Sequence, residues 1–323
     1  MLQIDKLVKV YPGPVSALQG IDLSVGEGMF GLLGPNGAGK STLMKILAGL
    51  LEPTSGRVTL DGADIVKNPR EVWKRLGYLP QEFGFYPHLT GRAMLKHLLK
   101  LKGVRAKGGL SRLTDELLER VNLTDAKKRK VSTYSGGMKQ RLGIAQALAG
   151  DPRLIIVDEP TAGLDPEERL RFYHLLAELA EGRIVLLSTH IVEDVAVLCP
   201  SFAAIQGGRL VRQTTPAEAR REIEGTMYSG TASTDELGDL LERYRVTQAP
   251  LVDGNYRARV HVPAGSFEGP PVGFQPVAPT LVDAYLIMMR AAANKTAQEP
   301  AATPPPLDTT EENAQASASG SAS

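Results

Sequence analysis

The sequence predicts an α/β fold, because short β-branched runs alternate along it with patterns of helical periodicity. Residues 29–33 form a run before a glycine-rich turn, and a helical pattern follows over residues 41–50. Two further runs, 154–157 and 184–188, are apolar apart from the final Ser188, which is typical of strands buried on both faces of a parallel sheet. We therefore expect a largely parallel sheet flanked by helices.

Residues 91–123 depart from this alternation. Apolar side chains recur there at helical spacing with charged residues between them: Met94, Leu95, Leu98 and Leu99, then Leu113, Leu117, Leu118 and Val121. We expect a helical subdomain over about residues 82–152, inserted into a first domain that covers residues 1–220.

A second, smaller pattern follows the first domain. A helix is predicted near residues 234–244 and strands near 245–250 and 255–262, which together indicate a small α+β module over residues 221–290. Residues 291–323 contain no aromatic residue, Val, Ile or Met, and their one leucine is Leu307. Such a segment buries too little apolar surface to offset its ordering entropy, so we expect a disordered tail.

Composition excludes several classes of protein. Across 323 residues, 37 Lys and Arg face 36 Asp and Glu, and a net charge of +1 gives no reason to expect a nucleic-acid partner. No apolar run approaches the roughly 20 residues of a membrane-spanning helix. Asp5 and Lys6 lie where a signal peptide needs its apolar stretch, so we do not expect this chain to be secreted. The single cysteine, Cys199, excludes an internal disulfide framework and a cysteine-based zinc site.

A glycine-rich loop lies between the first predicted strand and helix. It matches the phosphate-loop pattern G-x-x-x-x-G-K-[ST] with Gly34, Pro35, Asn36, Gly37, Ala38, Gly39, Lys40 and Ser41, followed by Thr42. The backbone N–H groups of such a loop and the N-terminus of the next helix bind phosphate oxygens. Lys40 supplies charge to the β- and γ-phosphates, and the Ser41 hydroxyl can ligate Mg²⁺. With the parallel sheet, this predicts a P-loop NTPase core.

Two carboxylates follow the apolar run 154–157. Asp158 and Glu159 lie at the C-terminal end of a predicted strand, which is where ligands bind in open α/β sheets. Asp158 is suited to bind Mg²⁺, and Glu159 is suited to act as the base that polarises an attacking water. Because Pro160 comes next, the pair can also be explained as the cap of a following helix.

A third motif, Tyr134-Ser135-Gly136-Gly137-Met138, resembles the signature sequence of the ATP-binding-cassette (ABC) ATPases. The resemblance covers roughly residues 1–220. Further segments resemble that family's other motifs: Tyr11 the adenine-stacking aromatic, Gln81 the Q-loop, Gly163-Leu164-Asp165 the D-loop and His190 the switch histidine. Tyr134 and Met138 depart from the usual Leu and Gln of the signature, whereas Ser135, Gly136 and Gly137 are intact.

The resemblance implies ATP and Mg²⁺ as ligands. It implies catalytic roles for Glu159, His190, Lys40 and Gln81, and a Mg²⁺ site formed by Ser41, Gln81 and Asp158. It also implies a homodimer in which Ser135, Gly136 and Gly137 of one chain cap the γ-phosphate held by the other. Outside this context a lone histidine such as His190 is more often an ordinary surface or core residue, and Tyr11 can be explained by packing.

Two segments bear on a membrane partner. Phe83, Phe85 and Tyr86 follow Gln81, where the family docks a helix of its membrane subunit, although they can equally pack inside the helical subdomain. Residues 278–286 resemble the end of cassettes of the ABC-2 exporter group, and they also fit an ordinary amphipathic helix. The basic run 127–130 can meet lipid head groups or form a solvated turn.

Taken together, these patterns predict the ATP-hydrolysing subunit of an ABC transporter of exporter type. We expect it in the cytoplasm, peripheral on the inner face of the cell membrane, as a homodimer bound to separate transmembrane permease subunits. The alternative is a cassette ATPase that acts on another macromolecular partner without transport. A P-loop kinase would leave the signature sequence unexplained.

Overall fold

The computed structural model of the chain describes residues 1–13, 15–67, 73–267 and 269–298. The strands are, in chain order, β1 (Leu2–Val10), β2 (Ser16–Val25), β3 (Gly28–Leu33), β4 (Ser55–Leu60), β5 (Ala63–Asp64), β6 (Leu76–Leu79), β7 (Leu154–Asp158), β8 (Ile184–Thr189), β9 (Ser201–Gln206), β10 (Arg209–Thr214), β11 (Met227–Ala232), β12 (Arg245–Gln248), β13 (Leu251–Val252), β14 (Asn255–His261) and β15 (Gln275–Pro276). The helices are α1 (Lys40–Leu47), α2 (Gly91–Leu101), α3 (Leu110–Arg120), α4 (Gly136–Ala147), α5 (Pro166–Leu179), α6 (Val192–Leu198), α7 (Pro216–Arg221), α8 (Thr234–Arg243) and α9 (Leu281–Gln298).

The central sheet has the strand order β10-β9-β3-β8-β7-β6. All neighbours in it are parallel except β10 and β9, which form an antiparallel hairpin. Every residue of β7 and β8 is buried, because helices and a second sheet cover the two faces. The predicted parallel sheet with buried strands 154–157 and 184–188 is confirmed.

An antiparallel sheet that the sequence analysis did not predict covers one face of the central sheet through α1. Its strand order is β2-β1-β4-β5. Leu2 and Ile4 of β1 are buried while Gln3 between them is exposed, as the two-residue period of a strand requires. Their side chains share one core cluster with Leu43 of α1 and Leu186 of β8.

The inserted segment is helical, as predicted. Thr90 caps the N-terminus of α2 by accepting a hydrogen bond of 3.2 Å from the N–H of Ala93. The apolar positions of the predicted stripes face the core: Met94, Leu95, Leu99, Leu117, Leu118 and Val121 are buried, while Leu98 and Leu113 are partly buried against the same cluster. This subdomain connects β6 to α4 and places the signature sequence at the N-terminus of α4.

The C-terminal module contains the sheet β12-β14-β11-β15, with β13 also paired to β14. The predicted helix and strands of this region correspond to α8, β12 and β14. The last helix, α9, packs on the core cluster that also contains the buried residues of α2 and α3, here called the main core. Its contact residues are Leu281, Ala284, Tyr285 and Met289.

The expected start of the disordered tail, residue 291, is wrong, because α9 continues to Gln298. The segment begins with three alanines, the best helix formers, and they extend a helix that is already nucleated by packing. The rest of the predicted tail, residues 299–323, lies outside the described residues. Within the described part of the chain, no helix has the length and apolar character needed to cross a membrane.

Asp283 fastens α9 to the C-terminal sheet. Its side chain is fully buried and accepts hydrogen bonds from Arg259 at 2.7 Å, Thr247 at 2.5 Å and the Thr280 N–H at 2.8 Å. Burial alone would raise the pKa of Asp283, but these donors outweigh it and lower the pKa to about 2. The folded state therefore favours the charged carboxylate.

We predict that Asp283→Asn lowers the free energy of unfolding by about 3 kcal/mol, since Arg259, whose side chain is 18% exposed, keeps a partly buried charge without its partner. Because the folded pKa lies below the unfolded one, the stability from this carboxylate is present above about pH 4 and is lost as the pH falls through the folded value. Urea denaturation followed by circular dichroism measures the free energy of unfolding. The difference in this free energy between wild type and variant should become smaller from pH 7 to pH 3.

Asp253→Asn is the matched control, because Asp253 lies in the exposed turn between β13 and β14. Its effect should stay within about 0.5 kcal/mol. If Asp283→Asn were as stable as this control, the role of Asp283 in holding α9 on the C-terminal sheet would be contradicted.

Candidate nucleotide site

The phosphate loop, the Asp158–Glu159 pair and His190 converge because three neighbouring strands end at one edge of the central sheet. The phosphate loop follows β3, Asp158 is the last residue of β7 and Glu159 follows it, and His190 follows β8. In the pairing register Leu33 of β3 is opposite Thr189 of β8, and Asp158 of β7 is opposite Ser188. The phosphate loop is more than a hundred residues before the other two motifs in sequence, yet strand pairing brings all three together.

The phosphate loop wraps around the side chain of Lys40. Lys40 is buried, and its Nζ donates hydrogen bonds to the carbonyl oxygens of Gly34 at 2.8 Å and Pro35 at 3.1 Å. Gly39, with φ of 103°, stands before the first residue of α1 and has no room for a side chain, since a Cβ there would lie 2.5 Å from the Ala17 carbonyl oxygen. The loop therefore presents its backbone directly to the space above it.

A cleft of about 640 Å³ lies over this loop. The predicted residues that line it are Tyr11, Asn36, Gly37, Gly39, Lys40, Ser41, Thr42, Gln81 and Glu159. Gly34, Pro35 and Ala38 belong to the loop without lining the cleft. The turn of Gly207 and Gly208 between β9 and β10 also lines it, and the sequence analysis did not predict that contribution.

The Glu159 carboxylate contacts the three other predicted catalytic residues. Its Oε2 accepts a hydrogen bond of 3.0 Å from Gln81 Nε2, and its Oε1 lies 3.7 Å from Lys40 Nζ and 3.2 Å from His190 Nδ1. His190 is 42% exposed, whereas Glu159 is buried. A carboxylate at the cleft wall is thus held between an amide and a cation and lies beside an imidazole.

The backbone of Glu159 adopts a left-handed conformation with φ of 47°. Such a conformation is costly for a residue with a side chain, and it persists only where the surroundings fix it. The N–H of Glu159 donates a hydrogen bond of 2.9 Å to the Ser188 carbonyl oxygen, which continues the pairing of β7 with β8 past the end of β7. The turn directs the carboxylate towards the phosphate loop.

Asp158 combines deep burial with an unused acceptor. Burial raises the pKa of its carboxyl group, while the hydroxyls of Ser188 and Ser41 act in the opposite direction. Its Oδ1 is buried and has no hydrogen-bond partner among the described residues. A buried carboxylate oxygen without a donor, beside the Ser41 hydroxyl, fits a divalent cation, which provides the missing positive charge.

Burial also lowers the pKa of Lys40, although the charges of Glu159 and Asp158 oppose this shift. The site therefore holds one cation, Lys40, and two buried carboxylates, of which Glu159 lines the cleft and Asp158 does not. Bound phosphates with their metal ion would complete that charge distribution.

Tyr11 lines the cleft and is partly buried. Its hydroxyl lies 3.4 Å from Thr42 Oγ1, and Lys9 Nζ lies 5.5 Å from its ring centroid. The ring is thus held at the edge of the phosphate loop.

The signature residues lie elsewhere. Ser135, Gly136 and Gly137 are described residues, and they do not line the cleft. Ser135 caps α4 by accepting a hydrogen bond of 3.1 Å from the Met138 N–H, and both Ser135 and Gly136 are exposed. One chain therefore contains a phosphate loop and a separate, exposed helix N-terminus.

Tyr134, the unusual first residue of the signature, is fixed by its packing. It is buried, and its hydroxyl donates a hydrogen bond of 2.9 Å to the Ala126 carbonyl oxygen. The ring lies over Gly91, where any Cβ would come within 1.9 Å of the hydroxyl oxygen. The bulky Tyr134 side chain therefore fits here because residue 91 is a glycine and has no side chain.

The three aromatics after Gln81 have different environments. Phe83 and Phe85 pack against the main core with ring centroids 5.1 Å apart. Tyr86 is 53% exposed and contacts the ring of His97. Of the three aromatic residues that were expected to dock a partner helix, Tyr86 is the exposed one.

Sequence reasoning missed Asp194 and the two threonines that contact it, Thr161 and Thr189. Asp194 lies four residues after His190, and it is buried. No motif spacing marked it, because burial of a polar residue follows from the packing of α6 and not from the local pattern.

Comparisons with known proteins identify relatives of this chain. The family profile described as ABC transporter matches residues 18–162. The chain is 37% identical over 227 residues to the linearmycin resistance ATP-binding protein LnrL of Bacillus subtilis, covering 70% of this chain and 72% of LnrL. It is 40% identical over 258 residues to the daunorubicin resistance ATP-binding protein DrrA2 of Streptomyces coeruleorubidus, covering 78% and 79%.

A solved structure matches as well. It is a dimeric structure of a post-hydrolysis state of the ATP-binding cassette MJ0796 bound to ADP and Pi. The likeness has a TM-score of 0.60 at 28% identity and covers 67% of this chain and 98% of that one.

We predict that Gly34→Ala weakens nucleotide binding by at least about tenfold, or about 1.4 kcal/mol. A Cβ at this position would lie 2.4 Å from the Ile205 carbonyl oxygen, so the phosphate loop must shift. Titration with a fluorescent ATP analogue measures the Kd. Gly26→Ala is the control, because a Cβ there meets nothing within 4 Å; equal affinities for the two variants would contradict the assigned loop geometry.

Proposed function

Because this chain belongs to the family of ABC transporter ATP-binding proteins, we propose that it powers export across a membrane through separate permease subunits. The chain is an ATP-binding and ATP-hydrolysing subunit. The observation that carries the proposal is the meeting of Gln81, Lys40 and His190 at the Glu159 carboxylate beside the phosphate loop. That arrangement combines phosphate binding with a group able to activate water.

Each residue has a distinct role in the proposed hydrolysis. Lys40 and the backbone of residues 34–42 bind the phosphates, and Tyr11 stacks on the adenine. Glu159 accepts a proton from the water that attacks the γ-phosphate. Gln81 donates a hydrogen bond to the Glu159 carboxylate and orients it. His190, whose Nδ1 faces the same carboxylate, contacts the γ-phosphate through its exposed edge.

Ser41, Gln81 and Asp158 would hold Mg²⁺ together with the nucleotide phosphates. The metal ion neutralises charge on the β- and γ-phosphates when it is bound. Within the described residues, no cluster of three His, Cys, Asp or Glu side chains is able to hold a metal by itself. Magnesium commonly binds through one or two protein ligands plus substrate phosphates, which fits this hydroxyl, amide and carboxylate set.

We propose that two copies complete the site. The phosphate loop of one copy and the Ser135–Gly137 segment of the other would enclose each ATP, as an isologous twofold dimer allows. The support is that Ser135 and Gly136 are exposed at the N-terminus of α4, a position that attracts anions, yet they lie away from their own cleft. A dimeric cassette is the solved structure to which this chain is similar.

We also propose export as the direction of transport, with the chain at the inner face of the cell membrane, and the names of two relatives support the direction. LnrL and DrrA2 are both named as resistance ATP-binding proteins, a role that removal of a toxic compound explains. Tyr86, exposed next to the Q-loop, would contribute to the contact with the permease.

We predict that Lys40→Ala weakens ATP binding by at least about 100-fold, or about 2.7 kcal/mol. The substitution removes the buried cation that faces the phosphates. Lys45→Ala is the control, since Lys45 belongs to the same helix and is exposed. Isothermal titration with ATP distinguishes the two, and an unchanged Kd for Lys40→Ala would refute the phosphate-loop assignment.

A second prediction concerns Glu159→Gln. This variant should bind ATP, lose hydrolysis by about 100-fold or more, and accumulate as a dimer with Mg-ATP on size-exclusion chromatography. Adding Ser135→Arg should abolish that dimer while each monomer still binds ATP, because an arginine would block the exposed α4 terminus. A Glu159→Gln variant that stays monomeric with Mg-ATP is incompatible with the proposed sandwich.

A further inference from the structure

Asp194 is a fully buried carboxylate with an unusually complete set of donors. Its Oδ2 accepts hydrogen bonds from Thr161 Oγ1 at 2.6 Å and Thr189 Oγ1 at 3.1 Å. Its Oδ1 accepts from Arg169 Nε at 3.0 Å and from the Tyr173 hydroxyl. The negative charge is thus fully paired inside the protein.

The donors come from the segments that carry the proposed catalytic residues. Thr161 lies two residues after Glu159, and Thr189 comes immediately before His190. The Thr189 hydroxyl also accepts a hydrogen bond of 3.0 Å from the Ile191 N–H, so both sides of His190 are fixed through this one side chain. One carboxylate oxygen therefore joins the Glu159 turn to the His190 turn.

The other oxygen joins these turns to α5. Arg169 and Tyr173 belong to that helix, whose N-terminus is capped by Asp165 of the D-loop through a 2.8 Å hydrogen bond from the Glu168 N–H. Asp194 itself is carried by α6, which begins two residues after His190. Four segments around the cleft are held by one side chain.

We propose that Asp194 is a positioning residue for ATP hydrolysis, which keeps Glu159 and His190 in their mutual geometry and links both to the D-loop helix. The inference rests on the proposed roles of Glu159 and His190. Asp194 does not line the cleft and contacts no reacting atom. It acts through Thr161 and Thr189, and its loss moves the water-activating carboxylate relative to the histidine without altering the phosphate loop.

Asp194 affects the rate of hydrolysis through the geometry of the Glu159 turn. The Glu159 turn has a left-handed backbone that its surroundings must enforce, and the Thr161–Asp194 bond is one of the contacts that do so. A displacement of about 1 Å at a catalytic group can lower a rate about 100-fold. Nucleotide affinity depends mainly on the phosphate loop after β3, which Asp194 does not touch.

The experiment compares two buried carboxylates that each pair with an arginine. Asp194→Asn loses the charge that Arg169 faces and places an amide N–H₂ among donors. We expect its kcat for ATP to fall about 10- to 100-fold, with the KM for ATP and the Kd of a non-hydrolysable analogue within about twofold of wild type. Asp283→Asn, the matched control in the C-terminal module, should lower the melting temperature yet keep the wild-type kcat.

Thr161→Val covers the case in which Asp194→Asn fails to fold. It removes one donor while the Arg169–Asp194 pair remains, so the chain should fold and again lose kcat with ATP affinity kept. A wild-type kcat in the folded Asp194→Asn or Thr161→Val variant would overturn the proposal. So would a matching loss of ATP affinity, which signals general disruption of the fold.

The same measurements separate this inference from the proposed function. If wild type hydrolyses ATP and Lys40→Ala abolishes binding, the proposed function stands, and the Asp194 and Thr161 variants test the positioning role alone. If wild type bound ATP without hydrolysing it, the proposed function itself would fail, and the positioning role that rests on it would fail too.

Discussion

The pairing register of three parallel strands is the constraint on which the nucleotide site depends. β3, β7 and β8 run in the same direction and end at the same edge, so the phosphate loop, the Asp158–Glu159 pair and His190 are neighbours by construction. A shift of one residue in either pairing would turn the side chains of a whole strand to the opposite face. Complete burial of β7 and β8 on both faces fixes the register, because helices and a second sheet pack against them.

Burying charged side chains at this edge of the sheet is unfavourable because they lose their hydration. Partners for these charges inside the protein reduce that loss. Lys40 and Glu159 are buried at the cleft wall, and Asp158, next to Glu159 in the chain, is buried without lining the cleft. Lys40 is held by two backbone carbonyl oxygens and lies near Glu159, while Asp158 keeps a buried oxygen without a donor among the described residues. A site organised in this way is ready for phosphates and a cation, since little reorganisation is needed when they bind.

The chain carries two features that its own cleft does not use. The signature segment at the N-terminus of α4 is exposed and lies away from the cleft, and Tyr86 is exposed beyond the Q-loop. Under the proposed function, the signature segment would contact a second copy of the chain and Tyr86 would contact a membrane subunit. The departures from the usual signature do not disturb this arrangement, because Tyr134 is accommodated over Gly91 and the three small residues that follow it keep their places.

Short-range sequence patterns were sufficient to predict the phosphate loop, the carboxylate pair, the helical stripes and the buried parallel strands. Tyr11, Gln81 and His190 were selected through their resemblance to the motifs of a known family. Tertiary structure alone decided the N-terminal antiparallel sheet, the inward packing of Phe83 and Phe85, and the extension of α9 to Gln298. It also decided the role of Asp194, whose donors are up to 33 residues away in sequence. Periodicity and motif spacing record what each segment prefers, whereas burial and hydrogen-bond partners depend on which segments meet when the sheet forms.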